Sequence, residues 1–337
     1  MQRRQLFVLV LTGLWLILVS GWGGLNSADA QATASKAAEK VSLRLGHVLA
    51  PSHPYHLGSV RFAELVSKKS GGKVEIQVFH SSQIGSERDL CEGMQLGTVD
   101  LAIAPGTIAL FLPKMGVFDL PFIFRDRPHA YKVLDGPIGQ QVAAELPKKG
   151  LRLLAYWENG FRQITNSKRP IAKASDLVGL KLRVPENKVQ VAMFKEWGAN
   201  VTSMSFGELF TALQQGTVDG QENPLAIIYT AKLSEVQKYL SLSGHMYMPA
   251  HLLISEKTRG RLSPEGLKAV QEAAVEARGY ERNLIAESDT KLVDELKKAG
   301  MRVNDVDKAS FNAGAKKVWE SFAPQFGPDL VKAIQGS

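Results

Sequence analysis

Apolar and polar residues alternate from Val41 to Val48 and again from Lys73 to Phe79, the period of two that marks half-buried strands. Between them the loop Leu49–Pro54 leads into a helix expected to reach about Ser70 and to close at Gly71-Gly72. Further strands are expected at Val99–Ala104, Leu151–Trp157, Phe161–Thr165, Leu180–Val184, Asn200–Met204 and Val218–Asn223, then near Tyr239–Met246 and His251–Ser255. Glu158-Asn159-Gly160 reads as a turn between two of them. Helical spacing covers His129–Lys148, interrupted at Gly136-Pro137, and Asn187–Trp197. Ser263 followed by Pro264 is a helix start, and the helix beginning there runs on paper to Ala299. Those 36 residues would extend roughly 54 Å. That outgrows one small domain, so the helix is expected to span two. The tail Phe311–Ile334 is helical and aromatic, with Trp319 and Phe322 expected to pack onto a domain.

One segment occurs twice. Ser86–Asp100 reappears as Ser205–Asp219 at an offset of 119, with 7 of 15 positions identical. Each copy reads as a helix followed by a strand. Ser86 and Ser205 are the caps, with Asp89 and Glu208 at the capping-box position. Leu90/Met94 and Leu209/Leu213 repeat on one face, and Gly97 and Gly216 end the helices. Val178–Val184 also matches Val41–His47, at an offset of 137, which sets Arg183 opposite Gly46. A duplicated helix–strand unit predicts two similar α/β domains facing each other. Such a cleft lies between strand ends and helix N-termini, where small anions bind.

The N-terminus changes the picture of where the chain works. Arg3-Arg4 precede an apolar run from Leu6 to Val19, and Ala28-Asp29-Ala30 offers a cleavage site. Residues 1–30 therefore read as a cleavable signal peptide, and the chain as an exported, periplasmic one. A mature chain of 307 residues is long enough for two domains. The one cysteine, Cys91, sits among Leu90 and Met94 and reads as a core residue. The net charge of +8 is dispersed, with no basic run or aromatic–basic stripe, so no nucleic-acid role follows. A modest positive field suits an anionic small ligand.

Gly179-Leu-Lys-Leu-Arg-Val-Pro185, Met204-x-Phe206-x-Glu208-Leu, Leu213-Gln-x-Gly-x-Val-Asp-Gly-Gln-Glu-Asn-Pro-Leu225 and Glu235-Val-Gln-Lys-Tyr239 carry a resemblance. With Ser81-Ser-Gln-Ile-Gly85 and Asn159-Gly-Phe-Arg162, they strongly resemble the solute-binding proteins of TRAP transporters, from about Leu43 to the end. The resemblance implies a two-lobed periplasmic solute-binding fold, each lobe a β-sheet flanked by helices, with a long helix across both. Lobe I is expected to comprise 41–160 plus 249–288, and lobe II 161–248 plus 289–337. It implies a monomer that binds an organic acid and delivers it to small and large membrane subunits, without cofactor or metal.

The residues agree with that reading at Arg183. Lys181 and Arg183 share one face of their strand, and a guanidinium at a strand end grips a carboxylate through two parallel N–H bonds. The resemblance makes Arg183 the carboxylate anchor and Arg162 the second cleft arginine. Asn223 matches the cleft asparagine, and Pro224 is expected to end its strand's ladder. Phe206 matches the pocket aromatic. Glu87, its partner across the repeat, is expected to accept hydrogen bonds from ligand hydroxyls. Glu186, Trp157, His47 and Gln163 are weaker candidates. The spacing of His47, His53 and His56 matches no metal motif. Val48 and Pro105 stand where sialic-acid-binding members are polar, which disfavours a large polar ligand. A sugar acid, uronate or aldonate, is expected first and a C4-dicarboxylate second. A periplasmic enzyme is the alternative class, but no nucleophile-elbow, zinc or dinucleotide motif is present in the sequence.

Overall fold

The computed structural model describes Lys40–Ser337; the expected signal peptide lies outside the described residues. Ten strands run in chain order as β1 (Val41–Gly46), β2 (Val74–Phe79), β3 (Leu101–Ile103), β4 (Leu151–Asn166) and β5 (Lys181–Val184). They continue as β6 (Asn200–Ser203), β7 (Gly220–Pro224), β8 (Tyr239–Leu242), β9 (Tyr247–Ser255) and β10 (Arg302–Asp305). The duplicated sequence reappears as duplicated topology. β2-β1-β3 pair in parallel with β9 antiparallel beside β3. Equally, β6-β5-β7 pair in parallel with β4 antiparallel beside β7. β4 belongs to both halves: its first part pairs with β9 and its second with β7 and β8.

The repeat has a structural cause at its last residue. Asp100 accepts a hydrogen bond from Arg44 N–H at 2.8 Å, and Asp219 accepts from Lys181 N–H at 3.0 Å. Each aspartate ties the end of its helix–strand unit to the neighbouring strand. Both capping boxes form, at Ser86/Asp89 and Ser205/Glu208. Gly97 and Gly216 take left-handed backbone, φ 85° and 70°, just past the helices Glu87–Leu96 and Phe206–Gln214. Gly46 is required where Arg183 stands in the other half, because a Cβ there would come within 2.4 Å of Leu90.

The expected turn at Glu158-Asn159-Gly160 is not one. β4 continues through it, with a register shift between Glu158 and Gly160 and Gly160 at φ 115°. Asn-Gly specifies backbone that a bulge uses as readily as a turn does, so the local signal was real but its consequence differed. Nor does Pro224 lie beyond its ladder: it pairs in register with Arg162 as the last residue of β7.

The long helix covers Pro264–Lys298, capped by Ser263, whose side chain accepts from Gly266 N–H. Its first half buries Val270, Ala273, Ala274 and Ala277 with Leu43, Phe62 and Trp157. Its second half buries Ile285, Leu292 and Leu296 with Leu209, Leu213 and Leu225. One helix thus feeds two separate apolar cores. Between them Glu281 accepts a hydrogen bond from Glu158 N–H at 2.9 Å, at the bulge of β4. Cys91 is fully buried, in the core with Leu90 and Met94.

Candidate functional site

The strand ends of the two halves converge on a cavity of about 520 Å³, its opening included. Arg183 reaches it from β5, Arg162 from β4 and Asn223 from β7. The two repeat helices present their first residues from opposite sides, Glu87 and Phe206. Glu186 follows from the loop after β5. Six of the nine residues singled out from the sequence therefore line one cavity.

The two arginines differ in what holds them. Every part of the Arg162 guanidinium is engaged. Nε and Nη2 bind the Glu222 carboxylate, and Nη2 also reaches Asn223 Oδ1 at 3.0 Å. Nη1 donates to Asn159 Oδ1 at 2.8 Å and approaches Met248 sulfur. Burial pushes the Glu222 carboxyl up, but Arg162 and His245 outweigh it and hold the pKa at about 2. Gln190 adds a further hydrogen bond to Glu222 at 2.9 Å. This is a buried, neutralised pair with its lone pairs filled, the condition under which a buried ion pair persists.

Arg183 has no such partner. Its Nε and Nη2 both donate to Met204 O, at 3.0 and 2.7 Å, and among the described residues Nη1 has no acceptor. The residue is 2% exposed. Burial lowers its pKa to about 10, which leaves it charged at neutral pH. A buried cation with free donors and no acid partner demands an anion from outside the fold.

Facing it, Glu87 accepts from the Thr107 hydroxyl at 2.7 Å. Burial raises its pKa, with the Thr107 hydrogen bond and the charges of Arg183 and Arg162 working the other way. Glu186 lines the cavity and lies 3.9 Å from Arg88. Asn223 gives Oδ1 to Arg162 and one N–H to Gln221, which leaves one N–H of its amide. The cavity thus has a donor pole, at Arg183 and Asn223, and an acceptor pole at Glu87.

Trp157, His47 and Gln163 fall outside this lining. The Trp157 indole is fully buried, lies against Gly58 and donates to Ala274 O at 3.4 Å, so it is core beneath the long helix. The His47 ring turns toward the helix Pro54–Lys69, with Nδ1 accepting from Leu49 N–H and Nε2 3.3 Å from His56. Gln163 accepts from Gly244 N–H at 2.8 Å and braces that loop. Pro105 lines the cavity, whereas Val48 is buried in a core.

Sequence reasoning missed Tyr55, Thr107 and Met248, which also line the cavity, and quoted Asn159 only as part of a motif. Tyr55 had a legible signal. His53 caps the helix and Pro54 starts it, so Tyr55 sits in the first turn at the cleft end. Met248 had none, since only the β4–β9 pairing brings it near Gly160.

The family described as bacterial extracellular solute-binding protein, family 7, matches residues 45–325. The 2,3-diketo-L-gulonate-binding periplasmic protein of Escherichia coli is 39% identical over 308 residues, covering 90% of this chain and 93% of its own. Among solved structures, a TRAP periplasmic solute-binding protein from Polaromonas sp. JS666 bound to D-erythronate is 43% identical. It superposes with a TM-score of 0.86 and covers 88% of this chain and 98% of its own. A sugar acid binding protein from Advenella mimigardefordensis, in complex with galactonate, is 38% identical. Its TM-score is 0.86, over 88% of this chain and 97% of its own.

Proposed function

This chain belongs to the bacterial extracellular solute-binding proteins of family 7, the binding proteins of TRAP transporters, and from that premise we propose that it captures a sugar acid, an aldonate or uronate. The observation that carries the reading is Arg183: buried, charged and, among the described residues, with free donors and no acid partner beside the cavity. The ligand carboxylate supplies the missing anion through a two-point bond to the guanidinium. Hydroxyls along the ligand donate to Glu87, whose other contact is Thr107.

Among the described residues lining the cavity, Arg183 is the one cation with free donors, which favours one carboxylate over two. Arg162 is already spent on Glu222, Asn159 and Asn223, so it offers no second clamp. Glu87 and Glu186 would repel a second carboxylate at the far pole. The relatives that bind D-erythronate, galactonate and 2,3-diketo-L-gulonate support the same class. The protein binds without turnover, acts in the periplasm and hands its acid to small and large membrane subunits. Arginine and asparagine hold an acid well but transfer protons poorly near neutral pH.

The test is a thermal-shift screen against erythronate, galactonate, gulonate, galacturonate, succinate and malate. An acid present at 100 times its Kd stabilises the fold by about 2.7 kcal/mol. A sugar acid is expected to give the largest shift and to be recovered unchanged. Arg183→Lys keeps the charge but loses the planar fork, so the shift should collapse while the unliganded midpoint holds. Succinate as the best ligand, or an unaffected Arg183→Lys, would count against this function.

A further inference from the structure

We propose that Tyr55 donates a hydrogen bond to a carboxylate oxygen of the bound acid, and that Asn159 sets the direction of that donor. The inference rests on the reading that this cavity binds an organic acid. Tyr55 is 2% exposed and lines the cavity with Arg183. Its phenolic oxygen accepts from Asn159 Nδ2 at 2.7 Å. A phenol carries one proton besides its lone pairs, and among the described residues that proton has no acceptor. A buried O–H without an acceptor is unfavourable, so the site is prepared for an oxygen that arrives with the ligand.

The amide of Asn159 admits one orientation. Its Oδ1 must face the Arg162 Nη1 donor, 2.8 Å away, because turning the amide over would set N–H against guanidinium. Nδ2 therefore points at Tyr55, and Tyr55 must turn a lone pair to it and its proton elsewhere. Arg162 in turn is fixed by Glu222. The chain Glu222–Arg162–Asn159–Tyr55 converts a buried ion pair into an aimed donor. Tyr55 itself is held by the helix start, its N–H bonded to His53 Nδ1 at 3.1 Å and its ring edge-on to the His53 ring. The second cleft arginine thus acts on the ligand through two residues rather than by touching it.

Calorimetric titration of the full protein tests this, using whichever of erythronate, galactonate, gulonate and succinate the wild type binds most tightly. Tyr55→Phe should weaken that acid about ten- to a hundredfold, the range for a hydrogen bond to a charged group. The unfolding midpoint without acid should stay put. Asn159→Asp offers Tyr55 a carboxylate to donate to, which turns the proton out of the cavity. It should cost as much as Tyr55→Phe, and the double variant should lose less than about twofold more. Tyr55→Phe binding as wild type does, or losing midpoint but no affinity, overturns the Tyr55 contact. Fully multiplicative losses in the double variant overturn the aiming by Asn159. A wild type that prefers succinate sinks the sugar-acid reading while the Tyr55 test proceeds on succinate. A wild type that binds none of the four sinks both.

Discussion

Glu87 and Phe206 occupy equivalent positions in the two repeats, yet one is a carboxylate and the other an aromatic ring. That asymmetry gives the cavity its two poles. Glu87 opens the helix Glu87–Leu96, whose N-terminus favours its negative charge. Burial works against that charge and raises the pKa, with the Thr107 hydroxyl and the charges of Arg183 and Arg162 pulling the other way. Glu87→Gln removes the acceptor charge and keeps the shape. It should weaken a polyhydroxy acid by about 1.5–3 kcal/mol, the value of a hydrogen bond to a charged group. A simple monocarboxylate should lose less, and succinate should gain. Competition titration of galactonate against succinate reads the difference, and equal effects on both would remove Glu87 from selectivity.

At the scale of the element, the first helix shows how one cap serves both stability and site. His53 stands at its N-cap, fully buried, with Nδ1 accepting from Tyr55 N–H and Nε2 without a partner among the described residues. Burial, then the neighbouring His47, drives its pKa down to about 3. The unfolded chain takes up this proton near the ordinary value of 6.5, long before the folded chain does. The contribution of His53 to stability is therefore full above pH 6.5 and falls as the pH drops toward 3. Asn accepts at an N-cap equally well but does not titrate. Between pH 6 and pH 4, His53→Asn should lose stability less steeply than wild type, by up to about 1.4 kcal/mol per pH unit. Urea unfolding at several pH values measures both slopes, and parallel slopes would mean that His53 is not held neutral.

Across the whole molecule, β4 and the long helix are two elements that both halves share. They meet at one place, where Glu281 binds the bulge at Glu158 and Arg282 donates to Tyr156 O at 2.6 Å. The two cores along the long helix have no buried residue in common, while a third joins Leu90 and Val99 to Leu182 and Val189; cleft closure by hinge motion is expected to turn on that meeting point. Small-angle scattering is expected to give a smaller radius of gyration with saturating galactonate than without it. An identical radius in both states would mean that the lobes do not close on the acid.

The helix starts and stops, and the repeat, were legible in the sequence, although the outcomes of the local signals at Glu158-Asn159-Gly160 and Pro224 were not. Caps and glycine stops follow from short-range chemistry that one copy of the repeat states and the second restates, and Ser263-Pro264 states the start of the long helix in the same way. Arg183, Asn223, Glu87, Phe206 and Glu186 were legible at or just past a strand end or helix start, whereas Arg162, inside β4, was legible through the family resemblance alone. Partnership, by contrast, came from the packing of distant elements. Whether Arg162 or Arg183 keeps free donors depends on Glu222, Asn159 and Met204, contacts that β-pairing and helix packing create between distant residues. Trp157 and His47 looked like site residues by position, yet neighbours from the long helix and the first helix claimed them. A side chain's direction can be read from its own element, but its free hydrogen bonds are what remain after every other element has taken its share.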